Sequence, residues 1–163
     1  MSSNESSATD QQPVIRCDSV FKIFGDKAKE MLAGVDGSNV DTKAFQEAGC
    51  IVGVNNASFD VARGEKLIIM GLSGSGKSTL LRCISRLTDA TAGRIFIEGQ
   101  DLLAMTNKQL IEIRREKMGM VFQSFALLPH KTVLENIAFP LQVKGVRTQE
   151  SIKKAMDMVE LVG

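Results

Sequence analysis

One run of residues concentrates the chemistry of this chain: Gly71-Leu72-Ser73-Gly74-Ser75-Gly76-Lys77-Ser78-Thr79. It matches G-x-x-x-x-G-K-[ST], the pattern of a phosphate-binding loop. Average residue usage puts a chance match in a chain of 163 residues on the order of one in a hundred. Gly71, Gly74 and Gly76 allow positive φ and a close approach of the backbone to an anion. Successive N–H groups, those of Ser73 and Ser75 among them, then form a concave nest for phosphate oxygens. A helix starting at Lys77 adds unsatisfied N–H groups and the positive end of its dipole. Lys77 is placed to reach the β- and γ-phosphates as a point charge. Ser78 offers a hydroxyl to Mg²⁺, which takes oxygen ligands and shares them with phosphate. Thr79 adds a further contact to phosphate. The expected ligand is ATP with Mg²⁺. A dinucleotide fingerprint fits less well, because Gly74-x-Gly76 is followed by Thr79 where a small residue is needed for helix packing. The plainest alternative is a glycine-rich turn capped by serine.

Such a loop works only between a buried strand and a helix. The apolar run Leu67-Ile68-Ile69-Met70 is the expected strand, parallel and buried on both faces. Residues 77–87 read as the helix. Upstream, residues 14–24 and 52–61 have strand character. Between them, residues 26–50 break the pattern with Gly34, Gly37 and Gly49 and with short helical patches at 29–32 and 42–47. They read as an insertion at the surface. Arg63-Gly64-Glu65 is a turn. Downstream, residues 94–98 alternate as a strand and 118–122 form a second short apolar strand. Thr106 with Gln109, and Thr132 with Glu135, give capping-box signals for helices through Arg115 and to Phe139. Ile152, Ala155, Met156, Val159 and Val162 recur at helical spacing and mark an amphipathic helix. Met158 falls on its solvated edge. Alternating strands and helices, with antiparallel strands at the start, predict an α/β domain.

Composition limits the function classes. The chain has 44% apolar and 24% charged residues and a formal net charge of +1. These are values of a globular protein, and no basic run points to nucleic acid. A chain this long buries roughly 70% of its unfolded surface. No stretch approaches the ~20 apolar residues needed to span a bilayer. Residues 1–12 are polar, lack the apolar core of a signal peptide and read as a flexible tail. Cys17, Cys50 and Cys83 show neither metal spacing nor a disulfide framework, so they read as buried, inert thiols in a reducing compartment. His130, the one histidine, follows a proline and reads as structural.

Two further blocks narrow the class. Thr91-Ala-Gly93-Arg-Ile-Phe-Ile-Glu-Gly99-Gln-Asp101-Leu resembles the strand and turn after the loop helix of ATP-binding cassette (ABC) proteins. Met120-Val-Phe-Gln123-Ser-Phe-Ala-Leu-Leu-Pro129-His-Lys-Thr132-Val-Leu-Glu135-Asn136-Ile resembles their Q-loop region. The resemblance spans roughly residues 14–163. Lys22-Ile-Phe-Gly25, the insertion before Val52-Gly-Val and Phe122-Gln-Ser-Phe-Ala-Leu-Leu-Pro-His130 resemble the glycine betaine/L-proline, or quaternary amine, importer type.

The resemblance implies an α/β P-loop NTPase of ABC type over residues 13–163. It would comprise a RecA-like core, an antiparallel β-subdomain and the start of a helical subdomain. Gln123 would approach Mg²⁺ and the attacking water, a role suited to an amide that both donates and accepts. Phe24 falls where the family places an aromatic ring against adenine, and base stacking is worth about 1–3 kcal/mol. Its alternative is a phenylalanine of the strand core. Residues 124–136, with Phe125, Leu127 and Leu128, would lie near the surface that meets a membrane subunit, or else simply pack the helical subdomain.

The implied function is the ATP-binding subunit of a compatible-solute importer at the cytoplasmic face of the membrane. It would pair with a second copy and an integral membrane permease, and act indirectly with a solute-binding protein. The family's signature loop, Walker B aspartate, adjacent carboxylate and switch histidine have no counterpart here. The chain is therefore expected to be a first half with very poor hydrolysis by itself, and to aggregate through the open flanks of 67–70 and 118–122. Two other readings stand beside this one. One is an ATP-binding module without turnover. The other is a small-molecule kinase, which would need arginines such as Arg114 and Arg115 over the γ-phosphate.

Overall fold

Residues Ile15 to Phe24 are rich in β-branched and aromatic side chains, and this strand, β1, organises the first part of the molecule. The computed structural model describes residues 12–35, 39–122 and 127–163. It divides into two units, Met1–Thr106 and Asn107–Gly163, each with its own packing. In the first unit β1 lies between β2 (Ile51–Val61) and β3 (Ala92–Ile97), and β4 (Gln100–Asp101) flanks β3. All pairings are antiparallel, in the order β2-β1-β3-β4. Ile15 pairs with Val61 and Phe24 with Ile51.

The register slips between Cys17 and Val20. There Ser19 takes a left-handed φ of 48°. The Ser19 carbonyl presses on Gly93, where a Cβ would overlap it. After this bulge Phe21 and Ile23 are buried on one side of β1, while Lys22 and Phe24 point to the other.

Residues 26–50 carry α1 (Ala28–Ala33) and α2 (Thr42–Glu47), as the helical patches predict. Most of the described residues of this segment are exposed, but one face of it is buried. Ala28, Leu32, Val40, Phe45 and Cys50 join Phe21 and Ile23 in a buried cluster. Burying a side chain such as Leu32 or Phe45 stabilises by about 1.5–3 kcal/mol. Gly34 and Gly49 follow short helices whose apolar faces close over β1. Asn55 of β2 fixes the segment: its amide donates to the Val40 carbonyl (3.1 Å) and its carbonyl accepts from the Val40 N–H (2.9 Å). Asp41 then caps α2 through the Lys43 N–H (2.9 Å).

α3 (Lys77–Ile84) follows the glycine-rich run and buries Leu80 and Cys83. It ends three residues short of the expected Leu87, because Arg86 turns left-handed (φ 51°). The Arg86 guanidinium donates to the carbonyls of Leu102 (3.0 Å) and Met105 (2.9 Å), tying the end of α3 to the turn after β4.

Neither the buried parallel strand expected at 67–70 nor the short apolar strand expected at 118–122 forms. Neither segment pairs in a sheet. Ile68 is 76% exposed and Met70 85%. A strand of that kind needs partners on its flanks for N–H and C=O groups. The described strands are all committed to the antiparallel sheet.

In the second unit α4 (Asn107–Lys117) begins directly after Thr106 and buries Leu110 and Ile113. α5 (Val133–Val143) has the Thr132–Glu135 capping box and runs past Phe139, carrying Pro140 inside it. It packs on α6 (Thr148–Val162). Small buried residues, Ala138 on α5 with Ser151 and Ala155 on α6, mark this packing. The apolar stripe of α6 is only half used: Met156 is 51% and Val162 85% exposed. Met156 is therefore not a core residue; the buried line runs through Ser151 and Ala155.

Among the described residues no helix is long and apolar enough to cross a membrane.

Candidate phosphate-binding site

The loop takes its shape from two left-handed glycines, Gly74 (φ 79°) and Gly76 (φ 88°). Gly76 is also the N-cap of α3 and has no side chain with which to cap it. The first helical bond is Leu80 N–H to Gly76 C=O (2.8 Å), so the N–H groups of Lys77, Ser78 and Thr79 precede the ladder. They stand at the positive end of the α3 dipole. The other wall is β2. A Cβ on Gly76 would overlap the carbonyl oxygen of Gly53, so the loop and the strand meet backbone to backbone. A cleft of about 360 Å³ runs along this meeting, lined by Gly74, Ser75, Gly76 and Lys77 with Val54 and Asn55.

Lys77 points back over the loop. Its ammonium donates to the carbonyls of Gly71 (2.7 Å) and Leu72 (2.6 Å) and to Ser75 Oγ (3.3 Å). The Ser75 N–H closes a turn onto the Leu72 carbonyl (3.2 Å). The cation is thus held at the mouth of the nest by neutral acceptors. Ser73, Gly74 and Ser78 are exposed beside it, and Thr79 is half-buried.

This donor set fits a polyphosphate with Mg²⁺: backbone N–H groups, one ammonium and one free-standing hydroxyl, Ser78. Among the described residues no three Asp, Glu, His or Cys side chains converge to hold a metal ion. A magnesium ion here would take its oxygens from Ser78 and from phosphate.

Phe24 is 44% exposed, so it is not a phenylalanine of the strand core. Its ring lies by Gly53, next to Thr79, which brings it to the start of α3. Gln123 and Phe125 lie outside the described residues, as does residue 124. Leu127 is 60% exposed and Leu128 half-buried. Leu128 is fastened by Asn136, which accepts its N–H (2.7 Å) and donates to its carbonyl (3.2 Å) and to that of Thr132 (2.9 Å). The three cysteines are buried and free, as their spacing predicts. Burial pushes the Cys17 thiol up to about 12 and also raises Cys83.

Gly53 and Asn55 were not singled out by sequence reasoning as parts of this site. A glycine inside a strand signals a close backbone approach, and Val52-Gly53-Val54 carries that signal. Asn55 carries none.

Comparison with known proteins agrees with the loop. A family profile described as ABC transporter matches residues 54–163. The trimethylamine N-oxide transport system ATP-binding protein TmoW of Pelagibacter ubique is 74% identical over 93% of this chain and 44% of its own length. The glycine betaine transport ATP-binding protein OpuAA of Bacillus subtilis is 45% identical over 96% of this chain and 38% of its own. Among solved structures, the ATP-binding cassette MJ0796, as a dimer in a post-hydrolysis state bound to ADP and Pi, superposes with a TM-score of 0.70. It is 30% identical and covers 90% of this chain and 56% of its own. The chain thus spans less than half the length of the curated relatives it matches.

Proposed function

The chain belongs to the ABC transporter family, and from that premise we propose that it carries the ATP-binding loop of an importer ATPase for small methylated amines. The observation that carries this reading is the loop itself. Gly74 and Gly76 take left-handed φ, the first N–H groups of α3 precede its hydrogen-bond ladder, and the Lys77 ammonium lies over the same loop. On binding, Lys77 exchanges the carbonyls of Gly71 and Leu72 for phosphate oxygens, a charge-assisted and stronger bond. The N–H groups at residues 73–79, apart from that of Ser75, which is bonded to the Leu72 carbonyl, hold and orient the phosphates. Ser78 would hold Mg²⁺, which would supply charge neutralisation. Phe24 offers its exposed ring to the adenine. The role of Gln123 beside the metal and the attacking water rests on the family resemblance of its sequence block.

The solute class rests on the relatives, whose names give trimethylamine N-oxide and glycine betaine. Both are compact molecules with a trimethylated nitrogen. In the whole protein two copies would bind ATP, act on an integral membrane permease at the cytoplasmic face, and serve a solute-binding protein. The small-molecule kinase reading falls with the family assignment.

The test is uptake of labelled trimethylamine N-oxide and glycine betaine by cells that depend on the whole protein. Wild type restores uptake of at least one solute, and Lys77→Ala restores neither. Uptake that survives Lys77→Ala at the wild-type rate would show that the loop does not power transport.

A further inference from the structure

Lys22 and Phe24 stand two residues apart on β1, on the side away from the cluster that takes Phe21 and Ile23. The Lys22 ammonium lies 4.8 Å from the centroid of the Phe24 ring and covers one of its faces. The ring edge at Cε2 is set against Gly53, where an added Cβ would come within 2.9 Å of it. The Thr79 methyl lies 3.1 Å from the same point and the Lys22 carbonyl 3.3 Å. The ring is thus held by one face and one edge, beside the third residue of α3. With these contacts the residue is still 44% exposed.

We propose that Lys22 is a positioning residue for the nucleotide base: it fixes the Phe24 ring from one face and so presents the opposite face for stacking. This rests on the nucleotide-binding reading above and deepens it. A cation over an aromatic face is attracted by the ring quadrupole, and the contact is the stronger the less the ammonium is solvated. A ring already held in its bound orientation loses less freedom when a base settles on it, and the gain appears as affinity. The phosphates gain nothing from this arrangement. Lys22 therefore affects ligands that carry a base and leaves polyphosphate alone.

The experiment measures binding of ATP and of inorganic tripolyphosphate, both with Mg²⁺, to the purified whole protein. It compares wild type, Lys22→Met, Lys22→Arg, Phe24→Ala and the Lys22→Met/Phe24→Ala double variant. Lys22→Met should weaken ATP about two- to five-fold, the size of an exposed cation–π contact, and leave tripolyphosphate unchanged. Lys22→Arg should keep the wild-type affinity. In the Phe24→Ala background Lys22→Met should have no further effect. The proposal is overturned if Lys22→Met leaves ATP affinity unchanged, if both ligands weaken equally, or if the loss persists without the ring. A wild-type protein that binds neither ligand would instead sink the nucleotide-binding reading, and this proposal with it.

Discussion

The carbonyl oxygen of Gly53, near the start of β2, occupies the place that a Cβ of Gly76 would need. The phosphate loop and the antiparallel sheet are therefore in backbone contact, and Gly76 is required twice, for its φ of 88° and for this contact. Gly74 has a similar φ of 79° but nothing within 4 Å of where its Cβ would stand.

The two glycines separate the two requirements. Gly74→Ala should cost about 1–2 kcal/mol, the strain of a left-handed alanine. Gly76→Ala adds a collision with backbone that no rotamer relieves. It should lower stability further and weaken MgATP more than Gly74→Ala does. Thermal melts and ATP titrations of both variants check this, and equal effects would contradict the described contact.

The N-terminus of α5 should respond to acid. Glu135 accepts from the Thr132 N–H (2.8 Å) and the Thr132 hydroxyl (2.9 Å). These bonds, with Lys131 and His130 nearby, hold its carboxyl below the ordinary carboxylate value. A lowered folded-state value means that the stabilisation is full above the unfolded value and is lost as pH falls through the folded one. The capping contribution should thus persist through neutral pH and fade below the ordinary carboxylate range. The protection of amides 133–136, their exchange rate relative to the intrinsic rate at each pH, should fall in wild type as the pH drops below the carboxylate range. In Glu135→Gln, whose side-chain amide can still accept from the Thr132 N–H but does not titrate, the protection should be nearly flat with pH. Thr132→Ala should cost about 1 kcal/mol, as for other lost helix caps.

Much of the fold and of the site can be read from residue order, and what cannot has a physical reason. β-Branched and aromatic content at 14–24 and 52–61 marks strands by a local rule, as Thr132 with Glu135 marks a helix start. The loop is legible because its glycines, lysine and serine must be adjacent to work. Residues 66–70 and 118–122 are apolar enough for buried strands, yet strand pairing depends on partners far along a chain, and the described strands pair elsewhere. The burial of Val40 and Phe45 depends on Asn55 gripping the Val40 backbone, a contact no local pattern announces. The orientation of Phe24 depends on Gly53 of the neighbouring strand in the same way.

The thiols supply an independent check on packing. Cys17 and Cys83 are buried, and burial, the first cause in each case, raises both thiols. At a value of about 12 for Cys17, only about one thiol in ten thousand is ionised at pH 8, and the thiolate is the reactive form. Alkylation of Cys17 in the native protein should be at least about a hundred-fold slower than in denaturant. Fast native labelling would mean that β1 is not packed as described.

The central claim is that the loop at residues 71–79 binds ATP with Mg²⁺ through Lys77. Calorimetric titration of MgATP into the purified whole protein, wild type and Lys77→Ala, tests it most directly. The account predicts one site per chain in wild type. It predicts a loss of at least about ten-fold in the variant, as expected for a charge-assisted bond to phosphate worth ~1.5–3 kcal/mol. The same affinity in both proteins would contradict it.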